Sequence, residues 1–169
     1  MTAPAAVPLN GRDPAEMRAY VEQVRSDPQE AERRPILTAV WTGGDRSRLT
    51  ISGKTMDVNG PAGLSPMQLV LAAIASCEVD VIVRECTLAG VEVEDLAIEV
   101  HGEFDVRSFL GIAGAPPSGY ERIAYVARIR APSLTDGQLA HLREAVEHTS
   151  PVGDTLARAV RLEPRIERA

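Results

Sequence analysis

The stretch "GPAGLSPMQLVLAAIASC", residues 60–77, decides how this chain is read. Ser65, Pro66 and Gln68 mark a helix start. Serine at the N-cap accepts from the N3 amide, proline is preset for N1, and glutamine at N3 reaches back to the cap. From Leu69 to Ala75 no polar residue occurs. A helix of that kind has no solvated face and must be covered on most sides. The spacing predicts a helix from Pro66 to about Leu88, with Gly90 as its stop. Cys77 closes the greasy run. It is either one more small core residue or a thiol held in a dry pocket.

Working outward, Asp13, Pro14 and Glu16 repeat the capping pattern, so "DPAEMRAYVEQVRS" predicts a helix ending near Asp27 and Pro28. It belongs to an N-terminal extension, residues 1–35, whose first eleven residues read as loose. "PILTAVWTGGDRSRLTISG" reads as two short strands joined by a Gly-Gly-Asp turn. "VEVEDLAIEVHGEFDV" and "RIAYVARIRAP" alternate apolar and polar residues, the period of half-buried strands. Between them, "RSFLGIAGAPPSGYE" is a long Gly/Pro loop. "SLTDGQLAHLREAVEHT" is a helix with Leu134, Leu139, Leu142, Ala145 and Val146 inward, and "SPVGDTLARAV" starts another at a Ser cap. "RLEPRIER" is read as a last edge strand, where a proline is tolerated. The order β-β-α-β-β-α-α-β, with antiparallel hairpins, makes residues 36–169 a single α+β domain rather than a doubly wound one.

Composition narrows the function classes. Of the 169 residues, 44% are hydrophobic and 25% charged, which is ordinary for a globular domain. A net charge of −6 opposes nucleic acid or an anionic membrane as partner, because both call for a positive surface. The two cysteines cannot build a disulfide framework, and "MTAPAAVPLNGRDP" lacks the basic start and apolar run of a signal peptide. A reducing cytoplasm is the expected home. The greasy segment Leu69–Val83, interrupted by Glu78 and Asp80, reads as too short to span a bilayer.

Most catalytic patterns are absent from the sequence. The histidines (His101, His141, His148) and cysteines are far apart without ligand-like spacing, so no metal or cofactor is expected. There is no phosphate-binding glycine loop and no nucleophile elbow. Glu92/Glu94 and Glu144/Glu147 read as solvated faces. Cys86, near a helix C-terminus that disfavours an anion, reads as structural. Cys77 is what remains.

The stretch from Gly60 to Cys77 resembles the helix of the OsmC/Ohr family (osmotically inducible and organic hydroperoxide resistance proteins): a Gly/Pro loop, then [SN]-P-x-[EQ]-L, then apolar residues up to a cysteine. "SPVGDTL", residues 150–156, is similar to the family's "CPVSNTL", and "TGGDR", residues 42–46, loosely resembles its Thr-Gly-Gly-Arg turn. The resemblance implies an OsmC-like α+β fold intertwined with a second copy, which would bury the greasy helix in a homodimer. It also implies thiol-dependent reduction of organic hydroperoxides. In that chemistry a thiolate attacks the peroxide to give a sulfenic acid, which a second cysteine resolves.

Carried over position by position, the match is divided. Cys77 falls on the peroxidatic cysteine and Ser150 on the resolving one, so the disulfide step is missing. Met67, with Gln68 beside it, falls on the family's glutamate. Asp45 falls on the arginine of the turn, and Arg46 follows it. A thiol in apolar surroundings is held protonated, so reactivity calls for a nearby cation. Arg46, or Arg48, is the expected source. The implied function is a one-Cys thiol-dependent peroxidase in the oxidative stress response, with Cys77 as nucleophile, Arg46 as its support, a small hydrophobic hydroperoxide as substrate and an external thiol as reductant. The alternative is a non-enzymatic OsmC-like protein binding a small hydrophobic ligand at the dimer interface.

Overall fold

A computed structural model describes residues 8–158 and 160–168. The chain folds as α1 (Pro14–Ser26), a 3₁₀ turn (Pro28–Ala31), β1 (Leu37–Gly43), β2 (Arg46–Ile51), β3 (Lys54–Val58), α2 (Pro66–Leu88), β4 (Asp95–Phe104), β5 (Tyr120–Arg130), α3 (Asp136–Thr149) and α4 (Pro151–Ala157). The class is α+β, as the sequence predicts. Two details differ. A third strand follows β2 through a turn at Ser52 and Gly53, because "KTMDV" is short and its polar residues hide its alternation. The expected edge strand at 161–168 is not formed; those residues carry no regular structure.

Two antiparallel sheets result, β1-β2-β3 and β4-β5. In the second, the long alternating strands pair in continuous register from Asp95↔Arg130 to Glu103↔Arg122. Its inner residues Leu96, Ile98 and Ile129 close over Ile82, Cys86, Val91 and Leu142, which form the core between β4-β5, α2 and α3. The first sheet has no such cover. Neither β1, β2 nor β3 packs substantially on α2, and Val40 and Trp41 are 62% and 74% exposed.

The capping box reads out of the sequence directly. Gln68 N donates to Ser65 Oγ (3.2 Å) and Ser65 N to Gln68 Oε1 (2.9 Å). At the other end Gly90 takes a left-handed conformation (φ 72°), and Val91 N closes the helix by donating to Cys86 O (2.8 Å). At 23 residues α2 is long and apolar enough to cross a membrane by length and composition, so shortness does not exclude a span. What identifies it as a core helix is its packing against β4, α3 and α4. Only one face is buried, through Ile74, Glu78, Val81, Ile82 and Cys86; Ala72, Ala73, Ser76 and Val79 on the other side are exposed.

The N-terminal extension is fastened to the C-terminal end of α2. Asn10, itself left-handed (φ 54°), donates from Nδ2 to Thr87 Oγ1 (3.1 Å) and Val91 O (2.9 Å) and accepts from Val93 N (2.8 Å). Arg18 adds a bond to Leu88 O (3.0 Å).

Candidate active site

Cys77 lies in the middle of α2, partly exposed. Its position along the helix is fixed from both ends by the capping box and the Gly90 stop. Ser150 reaches it from the α3–α4 junction. That serine is the N-cap of α4: its Oγ accepts from Gly153 N (3.0 Å) and donates to Cys77 Sγ (3.3 Å). Two residues separated by 73 positions are thereby joined, and they are the pair that the sequence resemblance singles out.

Beside them lies Glu78, which sequence reasoning passed over. It is fully buried, and neither carboxylate oxygen has a hydrogen-bond partner among the described residues. Burial pushes its carboxyl above the usual glutamate range, and the Ser150 hydroxyl opposes that. Tyr125 on β5 is also pushed up, first by burial and then by the negative charge of Glu78, Glu147 and Cys77. Glu78 stands four residues from both Ile74 and Ile82, in the row that ends at Cys86, and the packing on α2 turns that row inward.

The exposed side of Cys77 opens into a cleft of about 650 Å³ walled by Ala73, Val79, Val83 and Val152. Arg12 and Asn10 of the N-terminal extension form its polar edge, and Arg12 is paired with Asp80. The cation at the cleft is therefore Arg12. Arg46, expected there, lies on β2, exposed, with Nε bonded to Gly43 O (3.4 Å), and within one protomer it does not line the cleft. Arg48 is held by Asp57 (2.8 and 3.2 Å) on the same sheet, which lowers that carboxyl. The reason is architectural, since the sheet bearing both arginines stands off from α2. Met67 contributes only its carbonyl, which accepts from Tyr120 OH (2.8 Å), and the Gln68 side chain is spent in the cap. Asp45 lends its carbonyl to Asn59 Nδ2 (2.9 Å).

Cys86 is 1% exposed in the core, and burial raises its thiol, followed by the Glu85 charge. It has no part in the site. Among the described residues no group of three or more His, Cys, Asp or Glu is arranged to hold a metal. The arrangement offers a reachable sulfur, a hydroxyl donating to it and a buried carboxyl, groups that suit nucleophilic thiol chemistry.

Comparison with known proteins bears on the fold and the family. No curated protein matches the sequence. Among solved structures, an OsmC-like protein from Mycoplasma pneumoniae superposes with a TM-score of 0.63 at 16% identity, covering 75% of this chain and 89% of that one. A hypothetical protein from Aquifex aeolicus gives 0.61 at 17%, again covering 75% and 89%. An organic hydroperoxide resistance protein, OsmC, from Legionella pneumophila gives 0.51 at 16%, covering 73% and 89%. These likenesses fix the fold. The family model for OsmC-like protein matches residues 59–165, which spans α2, the second sheet and both C-terminal helices, and the chain belongs to that family.

Proposed function

We propose that this protein is a one-Cys thiol-dependent peroxidase that reduces small organic hydroperoxides in the cytoplasm. The observation carrying the reading is the Cys77 thiol, exposed to a cleft with apolar walls and receiving the Ser150 hydroxyl at 3.3 Å. The thiolate is the attacking species, and the Ser150 hydroxyl is placed to donate to the sulfur that carries it. The thiolate takes the terminal peroxide oxygen and becomes a sulfenic acid, releasing the alcohol. With serine at position 150 there is no second thiol to condense with it. An external thiol forms a mixed disulfide with loss of water, and a second equivalent of thiol frees Cys77.

The working unit in this reading is a homodimer. The chain exposes 13,048 Å², against roughly 8,100 Å² for a compact monomer of its mass. Both the uncovered first sheet and the open face of α2 supply apolar surface for a second copy. A monomeric mass by light scattering at low micromolar concentration would refute it.

The enzyme reading is tested by consumption of cumene hydroperoxide with a small dithiol as reductant. Wild type is expected to exceed Cys77→Ser clearly. Equal, background-level rates would reject catalysis and leave the cleft as a binding site for an apolar ligand.

A further inference from the structure

Glu78 is the one ionisable carboxyl in the buried row Ile74, Glu78, Val81, Ile82, Cys86 of α2. A lone carboxylate is among the costliest groups to bury, so it readily takes up a proton brought to it. The side chain has no cation or donor of ordinary hydrogen-bond geometry among the described residues. Its surroundings name its exchange partner. A Cβ built on Gly153 would stand 3.0 Å from Ser150 Oγ and 3.5 Å from Glu78 Oε1, so the hydroxyl and the carboxyl border the same spot. The hydroxyl has a single hydrogen. It donates to Cys77 Sγ at 3.3 Å while Glu78 stands unpaired. Tyr125 on β5 lies within reach of the charges of Glu78, of Cys77 on the same helix and of Glu147 on α3, and the start of α4, which carries Asp154, brings Ser150 and Gly153 to the carboxyl.

We infer that Glu78 stores the proton exchanged during hydroperoxide reduction, passing it through the Ser150 hydroxyl between Cys77 and the leaving alkoxide. The inference rests on the peroxidase reading above. The Ser150 hydroxyl turns its hydrogen from Cys77 to the Glu78 carboxylate and takes the thiol proton on its oxygen, which leaves a thiolate beside a neutral carboxyl and keeps the charge of the pair at one. The thiolate electron pair attacks the terminal peroxide oxygen; the S–O bond forms, the O–O bond breaks and the alkoxide departs. Ser150 donates to that alkoxide and is refilled by Glu78. The products are an alcohol, a sulfenic acid and the original carboxylate. Sulfur has lost two electrons and the peroxide has gained them. Glu78 is a positioning residue for this proton and does not itself touch the substrate.

Sharing one charge has an unusual consequence. With Glu78 ionised, a thiolate at Cys77 would set a second negative charge beside a buried one, so the two groups compete for one charge. Glu78→Gln removes both the competing charge and the stored proton. The test compares two reactions of Cys77 in the full chain across acid to alkaline pH, each read on the Cys77 peptide by mass spectrometry. One is alkylation by iodoacetamide, whose leaving group takes no proton, and the other is a single turnover with cumene hydroperoxide, whose leaving group does. In wild type, alkylation is expected to level off as pH rises. In Glu78→Gln it should keep climbing and match or exceed wild type at alkaline pH, while the hydroperoxide rate falls about 100-fold or more. Ser150→Ala should lose hydroperoxide rate by a similar factor. Two rates that fall together in Glu78→Gln, or a hydroperoxide rate that does not change, overturn the inference. A wild-type hydroperoxide rate no higher than that of Cys77→Ser overturns the peroxidase reading itself. That outcome is distinct from an active wild type matched by an equally active Glu78→Gln, in which only the role of Glu78 fails.

Discussion

Replacing Ser150 by cysteine should convert the site to one that closes on itself. The Ser150 hydroxyl already lies 3.3 Å from Cys77 Sγ. A C–S bond is longer than a C–O bond, so a sulfur there approaches closer still, and a small χ1 rotation brings it toward the roughly 2.05 Å of a disulfide. The bridge would close a loop of 73 residues. Chain entropy alone then gives about 4 kcal/mol of stabilisation at room temperature. Against that stands the lost N-cap of α4, where Ser150 Oγ accepts from Gly153 N, at about 1 kcal/mol. Reduced Ser150→Cys is therefore expected to unfold in urea about 1 kcal/mol earlier than wild type, and the oxidised form about 3 kcal/mol later. One equivalent of hydroperoxide should remove the mass of two hydrogens and link the Cys77 peptide to the peptide bearing the new thiol. If Cys77 oxidises to a sulfenic acid while the introduced thiol stays free, the α2–α4 contact is not as described and the reasoning fails.

Wild type should never form an internal disulfide. Cys77 and Cys86 are nine residues apart on α2, about 13 Å along its axis, whereas bridged α-carbons lie within about 7 Å. Hydroperoxide followed by a monothiol should give a mixed disulfide at Cys77, and a linked Cys77–Cys86 peptide from native protein would disprove the helix. Asn10→Ala removes three hydrogen bonds and leaves Val91 O and Val93 N without their partner. It should cost about 2–3 kcal/mol in urea unfolding and speed amide exchange at Val93, and unchanged exchange would show that the extension is not anchored there. The raised carboxyl of Glu78 means that the native state binds this proton more tightly than the unfolded chain. Its contribution to stability is full below the ordinary glutamate range and is lost as pH rises through the native value. Urea midpoints of wild type should fall over that window and those of Glu78→Gln should not; parallel curves would contradict the assignment.

The helix at the centre of the fold was legible because its signals are local. The cap residues Ser65 and Gln68 and the stop at Gly90 act within one turn, and the long alternation of β4 and β5 fixes their period without help from elsewhere. Strand β3 was not legible, since five residues with lysine, threonine and aspartate among them show little pattern, and its pairing to β2 is set by the Ser52–Gly53 turn. The site divided along the same line. Cys77 and Ser150 could be named from motifs. That Arg12 rather than Arg46 edges the cleft depends on where Asn10 ties the extension down, a contact spanning about 80 residues that no local pattern encodes. Glu78 was visible as a break in a greasy run but not as an inward one, because the face on which it falls is decided by what packs against α2.

Gly153 bears on how this site can have come about. A methyl group there would press on Ser150 at 3.0–3.1 Å and stand 3.5 Å from the Glu78 carboxyl. The tight contact is with the serine alone, since 3.5 Å is an ordinary separation for the carboxyl. A side chain at 153 would therefore displace the hydroxyl that joins α4 to Cys77 and leave the acid where it is. The bare backbone at 153 guards the serine, and the acid at 78 can be gained or lost without regard to it.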